Sequence, residues 1–246
     1  MNTLNSIIIA SIFVSAIAAS GTLLLLKNRL LDEKITYFVS FAAGILLAIS
    51  FFDLLPHAAE GGATQGIFMA AFFGIITFFF LERFVLWFHH HDDLHGAKPS
   101  SLLIFLGDGL HNFIDGVAIA AAYLTNPALG FTTTLAIAAH EVPQEIADFS
   151  ILIAGGMKKV KALLFNLLSG VFALAGAVSG FFFLENLRGI LPMSLAFTAG
   201  MFIYIACSDL IPDLHHDFRK RKSWMQTAPF LAGIILTWLF VRYLEG

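Results

Sequence analysis

Two stretches of the 246-residue chain carry a dense set of side chains that can bind a metal ion. Residues 107–116 read Gly-Asp-Gly-Leu-His-Asn-Phe-Ile-Asp-Gly, and residues 139–148 read Ala-His-Glu-Val-Pro-Gln-Glu-Ile-Ala-Asp. Imidazole and carboxylate ligands without a thiolate suit Zn²⁺, Fe²⁺, Mn²⁺ or Cd²⁺ rather than Cu⁺. The candidate ligands are Asp108, His111, Asn112, Asp115, His140, Glu141, Gln144, Glu145 and Asp148.

Helical spacing places each set of side chains on one face. At about 100° per residue, the first set falls within an arc of about 100° and the second within about 140°. His111 and Asp115 are four residues apart, as are His140 and Gln144, so each pair stacks on its helix and the four can share one ion. A second, all-oxygen position alongside is offered by Asn112, Asp115, Glu141 and Gln144.

The residues between these polar groups are apolar, which indicates two helices in a membrane. Five carboxylates at mid-membrane cost about 2.5–3.5 kcal/mol each, or more than about 10 kcal/mol together. A divalent cation held between the two faces would offset that cost. The alternative is a network of interhelical hydrogen bonds or a proton relay.

Composition supports a membrane protein. The chain is 58% hydrophobic and only 13% charged, too apolar for a soluble domain. Its net charge of −3 argues against nucleic-acid binding. The single cysteine, Cys207, excludes an internal disulfide framework and a cysteine-based zinc cluster. We expect no signal peptide, because the first lysine, Lys27, follows the first apolar run.

Eight apolar runs reach the length of roughly 20 residues that a helix needs to cross the hydrocarbon core. The connections are short, so we predict an all-α membrane protein with one domain over residues 1–246. The predicted spans are Thr3–Leu26, Ile35–Ala59, Gly66–Phe88, Ser101–Leu124, Ala128–Gly155, Ala162–Leu184, Leu191–Ile211 and Met225–Tyr243.

The distribution of basic residues predicts the topology. The loops that follow spans 1, 3, 5 and 7 hold eleven of the fourteen Lys and Arg residues, whereas the loops after spans 2 and 4 hold none. The loop after span 6 holds only Arg188. Positive charge favours the cytoplasmic side, so the odd loops are cytoplasmic and both termini lie outside.

An inverted repeat relates the two halves of the chain. The segments Phe41–Gly44 and Asp53–Pro56 of span 2 resemble Phe197–Gly200 and Asp209–Pro212 of span 7, 156 residues later. The two spans run in opposite directions, as do spans 4 and 5. Spans 1–3 would mirror spans 6–8, with spans 4 and 5 as a central symmetric pair, an arrangement typical of secondary transporters.

The pair His-Asn-Phe-x-Asp-Gly and His-Glu-Val-Pro-Gln-Glu resembles the motifs of the ZIP family of divalent-metal transporters. The resemblance covers the whole chain and implies metal movement into the cytoplasm, a homodimer, and spans 1, 4, 5 and 6 sliding against 2, 3, 7 and 8. It also implies the two metal positions described above. Gln144 departs from the His or Glu of many members, and span 6 has no acidic residue of the kind found in two-metal members.

Further polar residues lie near the ends of the spans. Asp53 and His57 near the outer end of span 2 are expected to form an entrance, and Asp209 and Asp213 near the inner end of span 7 an exit. Both pairs could instead be interfacial groups facing water. The cytoplasmic His-rich segment 89–95 could bind metal or could be a solvated connector.

These observations predict a transporter for divalent transition metals, zinc first and also iron, manganese or cadmium. It would work by alternating access in a cell (inner) membrane. One rival is an intramembrane zinc metallohydrolase, because His140-Glu141-Val-Pro-Gln144 resembles a degraded His-Glu-x-x-His motif. Gln144 in place of the second histidine counts against it. Another rival is a metal sensor that does not transport.

Overall fold

In a computed structural model the chain is built of helices, and the described residues contain no β-strand, which confirms the predicted all-α class. The description covers residues 2–27, 31–60, 62, 64–93, 101–212, 214–215 and 224–245.

The helices agree with the predicted spans to within a few residues. Span 2 is interrupted by a π-helical turn, π1 (Ser50–Leu54), and α8 continues into a second, π2 (Ile205–Leu210). Short 3₁₀ turns at Arg188–Ile190 and Trp224–Gln226 precede the last two helices. The helices are α1 Thr3–Lys27, α2 Leu31–Ile49, α3 Leu55–Ala59, α4 Thr64–Asp93, α5 Ser101–Thr125, α6 Pro127–Ala154, α7 Lys159–Asn186, α8 Leu191–Tyr204 and α9 Thr227–Glu245.

Six described segments are long and apolar enough to cross a membrane. α5 and α6, which carry the two polar stretches, are not among them, although at 1.5 Å per residue they would measure about 37 and 42 Å. The six segments cover residues 3–23, 35–59, 65–83, 159–186, 188–210 and 227–244.

The surface and the interior have the polarity expected inside a bilayer. Large apolar side chains point outward, among them Phe80 of α4 and Leu236 of α9, which are 62% and 55% exposed. Charged and polar side chains, among them Asp115, His140 and Glu141, are buried. This inverted distribution suits a protein whose outer solvent is lipid and whose interior satisfies its own polar groups.

Glycines allow two pairs of helices to pack backbone to backbone. α2 packs on α9, and α4 packs on α8. A Cβ at Gly44 would collide with the carbonyl oxygen of Phe230, and one at Gly200 with that of Ala71. Small residues permit this approach where lipid supplies no hydrophobic drive for helix association. α1 packs on α6, and α5 packs on α7.

A one-residue connection joins α5 to α6 and sets the register of the candidate site. The side chain of Asn126 accepts a hydrogen bond from the Ala128 N–H at 2.8 Å and so caps α6, which then starts with Pro127. His111 lies fifteen residues before Asn126 and His140 lies fourteen after it. In an antiparallel hairpin, these two residues meet at the same depth.

Candidate metal centre

Four buried side chains from α5 and α6 converge at the middle of the two helices. They are His111 and Asp115 from α5, and His140 and Glu141 from α6. Their ligand atoms all lie within 4.8 Å of one another. Asp115, His140 and Glu141 are each 1% exposed and His111 is 8% exposed. This is a compact set of two imidazoles and two carboxylates that water barely reaches.

The distances between the ligand atoms suit four-coordination. The Nε2 atoms of His111 and His140 are 3.3 Å apart, and the Asp115 Oδ2 lies 3.2 Å from the His140 Nε2. The Glu141 Oε1 lies 3.7 Å from the Nε2 of His111 and 4.0 Å from that of His140. With zinc–ligand bonds of about 2.0–2.1 Å, the edge of a tetrahedron is about 3.3 Å. The cluster is therefore slightly wider than a closed tetrahedral site.

The orientation of His140 is fixed by its own helix. Its Nδ1 lies 3.1 Å from the carbonyl oxygen of Ala136. A carbonyl only accepts, so Nδ1 carries the proton and Nε2 presents its lone pair to the cluster. Aromatic rings pack on both imidazoles: Phe202 on His140 at 5.7 Å and Phe78 on His111 at 5.3 Å between ring centroids. The two rings are held with their Nε2 atoms toward each other.

The carboxylates of this cluster lack hydrogen-bond donors. Both carboxylate oxygens of Asp115 and both of Glu141 are buried without a hydrogen-bond partner. Burying an ionised carboxylate without a hydrogen-bond donor is energetically costly, and a neutral histidine nearby supplies no compensating positive charge. With both carboxylates ionised and both imidazoles neutral, the four ligands would carry a charge of about −2, which one divalent cation balances.

The remaining predicted ligands divide between this cluster and a second group. Glu141, expected only in the all-oxygen position, lies beside both histidines. Asn112 instead turns toward Asp108, donating from Nδ2 to its Oδ1 at 3.0 Å. Gln144 is half-buried on α6. Glu145 is 2% exposed and its backbone carbonyl accepts a hydrogen bond from Asn166 of α7. Asp148 is half-buried.

Near the end of predicted span 2, the π1 turn points Asp53 into the protein. Phe51 and Phe52 are exposed whereas Asp53 is 2% exposed. The Asp53 Oδ2 accepts a hydrogen bond from the Thr132 hydroxyl of α6 at 2.5 Å, and its Oδ1 lies 3.2 Å from the His57 Nδ1. A cavity of about 30 Å³ lies beside these three residues. Sequence reasoning missed Thr132, although the run Thr132-Thr133-Thr134 in an apolar helix was a signal.

In predicted span 7, Asp209 lies in π2 and is exposed. The other predicted exit residue, Asp213, lies outside the described residues. In the His-rich segment, residues 89–93 complete α4, and His95 lies outside the described residues. The basic cluster Arg219–Lys222 also lies outside them.

The family model described as ZIP Zinc transporter matches residues 3–97 and 88–240, which is nearly the whole chain. The chain belongs to the ZIP zinc transporter family. Together with the six apolar segments, membership in the ZIP family identifies the chain as an integral membrane protein.

Curated relatives of this ZIP chain carry transporter names. The zinc transporter foi of Drosophila melanogaster is 40% identical over 145 residues, which are 58% of this chain and 20% of the relative. Human zinc transporter ZIP6 is 37% identical over 122 residues, 50% of this chain and 16% of the relative. The zinc transporter ZIP13 of Pongo abelii is 32% identical over 226 residues, 84% of this chain and 67% of the relative. The chain thus spans a fifth or less of foi and ZIP6.

Proposed function

We propose that this ZIP chain transports divalent transition metals, zinc first and also iron, manganese and cadmium, toward the cytoplasm by alternating access. Two imidazoles and two carboxylates, buried together with no other partner for the carboxylates, carry this proposal. The transported ion would bind between α5 and α6. The zinc transporter names of the relatives agree with this substrate.

The depth of the cluster supports a carrier. His111 is the eleventh residue of the 25-residue α5, and His140 is the fourteenth of the 28-residue α6. At 1.5 Å per residue, the cluster lies about 15–20 Å from the nearest helix ends, near the midplane of a bilayer about 30 Å thick. A carrier with alternating access needs its site there, since both sides must reach it.

The inverted repeat is part of the proposal. The π1 and π2 turns interrupt spans 2 and 7 at Asp53 and Asp209, which are 156 residues apart. The glycine contacts correspond as well: Gly44 and Gly200 share that offset, and their partner carbonyls, Phe230 and Ala71, are 159 residues apart. We infer eight spans with α5 and α6 as the central pair and both termini outside, in a cell (inner) membrane.

The two ends of the path differ, which supports an entrance and an exit. Asp53 is buried and hydrogen-bonded to Thr132, and His57 covers it, so the outer end is closed. Asp209 at the other end is exposed. We propose that Asp53 and His57 admit the ion, that Asp209 and Asp213 receive it, and that the conformation described here faces inward.

Uptake of radiolabelled zinc into proteoliposomes tests the function. The parent is expected to accumulate zinc, and His140→Ala is expected to reduce the initial rate more than about tenfold because one of four ligands is lost. Glu185→Gln is the matched control, since Glu185 is an exposed acid at the end of α7 away from the cluster. Parental uptake by the His140→Ala protein would refute the central site.

A homodimer completes the proposal. The outward faces of α4 and α9 carry large apolar side chains that lipid or a second copy must cover. Mass measurement of the protein in nanodiscs should give the mass of two chains. A single-chain mass at every protein concentration would contradict the dimer and leave the metal site untouched.

A further inference from the structure

A long apolar groove lies between four helices, away from the metal centre. Its volume is about 470 Å³, and its walls come from α1, α2, α6 and α9. α2 contributes Phe38, Phe41, Ile45 and Ile49, whose spacing of three or four residues forms one stripe along that helix. At 1.5 Å per residue, this stripe makes the groove about 16 Å long.

The groove opens at the apolar surface of the protein. Each of the four helices places an exposed large apolar side chain on its rim, while the floor is buried at Ala139 of α6. Because the chain is an integral membrane protein, the hydrocarbon of the bilayer is the medium that reaches this rim. The rim residues are Phe13 of α1, Phe38 of α2, Leu135 of α6 and Leu236 of α9.

The lining of the groove does not suit water. Of the thirteen described residues that line it, eleven are apolar, and the other two, Thr132 and Thr237, are uncharged. The Thr132 hydroxyl already donates to the Asp53 carboxylate. A buried water molecule needs two to four polar partners, which this lining does not supply. An apolar space of this size that stays empty forfeits the dispersion contacts of its walls, so an apolar occupant is favoured.

The width of the groove distinguishes between apolar occupants. A volume of about 470 Å³ over about 16 Å gives a mean cross-section of about 30 Å². A helix of a second copy is about 10–12 Å across with its side chains, which corresponds to about 80–110 Å² and is too wide to enter. Phe131 of α6 also packs against Phe240 of α9, with ring centroids 5.9 Å apart, so the two helices meet beside Thr132. A single hydrocarbon chain fits this narrow shape.

We propose that one acyl chain of a bilayer phospholipid binds in this groove, between the packed pair α1 and α6 and the packed pair α2 and α9. The acyl chain lies on the back of α6. At about 100° per residue, the groove residues Leu135, Ala138 and Ala139 point on average about 160° away from His140 and Glu141. The lipid is thus a ligand of the helix framework that does not touch the metal ligands, and its binding does not depend on the proposed function.

Photolabelling of the full-length chain in nanodiscs tests the site. The probe is a phosphatidylcholine with a diazirine midway along one acyl chain, and peptide mass spectrometry locates the label. In the parent, label is expected inside the groove on Ile45 and Ala139 as well as on the rim. Thr237→Trp fills the groove from α9 and should reduce the label on both residues at least about fivefold, because the added volume excludes the chain. Ile235→Trp is the matched control, since Ile235 is 53% exposed on α9 and outside the groove.

Thermal unfolding in detergent gives a second readout. Phosphatidylcholine added to the delipidated protein should raise the melting temperature of the parent and of Ile235→Trp, because a ligand of the folded state stabilises it, and should raise that of Thr237→Trp by less. Leu135→Trp, which narrows the groove from α6, replaces Thr237→Trp if that variant does not fold.

The outcomes are independent of zinc transport. Label confined to the exposed rim of the parent, or label on Ile45 and Ala139 that is unchanged when the groove is filled, would overturn the lipid site. An equal rise in melting temperature for the parent and the filled variant would also overturn it. Neither readout involves zinc, so a failure of the lipid site leaves the central metal site untouched, and the reverse also holds.

Discussion

At the scale of residues, the geometry of the cluster follows from the hydrogen bonds that each ligand side chain makes or lacks. The Ala136 carbonyl can only accept a hydrogen bond from the His140 Nδ1–H, so the Nε2 lone pair of His140 points at Asp115 and His111. The carboxylates have no donors of their own. The ligand atoms of the four side chains thus lie within 4.8 Å of one another.

The Glu141→Gln substitution distinguishes a ligand from a general base. If Glu141 binds the transported ion, the variant should lose zinc affinity by at least about tenfold and slow uptake in parallel, because a neutral amide is a weaker ligand. Zinc binding by calorimetry and uptake by isotope flux measure the two effects. A metallohydrolase would behave otherwise, keeping its zinc while losing hydrolytic turnover.

Acidification should slow uptake at constant free zinc. Metal ligands bind in their deprotonated forms, so protons compete with the ion for the imidazoles and carboxylates. Initial rates measured from about pH 5 to about pH 8, with no pH difference across the membrane, provide the test. A rate that is flat or that rises in acid would contradict it.

At the scale of elements, the α5–α6 hairpin determines the register of the site and the glycines determine the framework around it. Asn126 is the only residue between the two helices, so the two motifs face each other at equal depth. α8 approaches α4 closely enough that a methyl group at Gly200 meets the backbone of Ala71. Because the contact is with backbone atoms, no side chain can move aside to make room for the methyl group.

Gly200→Ala should therefore destabilise the protein by about 1–3 kcal/mol, as overpacking does. Gly189→Ala is the matched control, because a Cβ at Gly189 meets nothing within 4 Å. Thermal unfolding of both variants in the same detergent measures the difference. Equal melting temperatures for the two proteins would show that α4 and α8 can move apart without loss of stability.

At the scale of the whole molecule, the two halves of the chain are expected to lie in the membrane as inverted copies. Asp53 and Asp209 lie in the two π turns, and the first is buried whereas the second is exposed. In the proposed carrier, this difference would correspond to a conformation with one side closed. The orientation of the molecule then decides the direction of transport.

Single introduced cysteines should report that orientation. In a Cys207→Ser background, Glu185→Cys should react with a membrane-impermeant maleimide applied to intact cells, because the end of α7 that carries Glu185 is predicted to lie outside. Lys158→Cys, in the loop after α6, should react only after the membrane is permeabilised. Both residues are exposed, so access across the membrane is the variable measured. The reverse pattern would invert the proposed direction.

The sequence by itself determined the all-α class, the approximate bounds of the spans and the two polar helix faces. Apolar length and helical periodicity are local properties that the chain carries residue by residue. They identified His111, Asp115 and His140 as neighbours across a short hairpin.

Only the tertiary structure decided which oxygens meet which nitrogens. Spacing along one helix favoured Gln144 as the partner of His140, whereas packing also brings Glu141 to the histidines. The π1 turn rotates Asp53 inward to Thr132. Helical periodicity assumes a regular α-helix, so it could not predict this turn. The rotation of one helix about its axis against its neighbours is fixed by contacts distant in sequence, such as those of α7, and periodicity alone leaves it open.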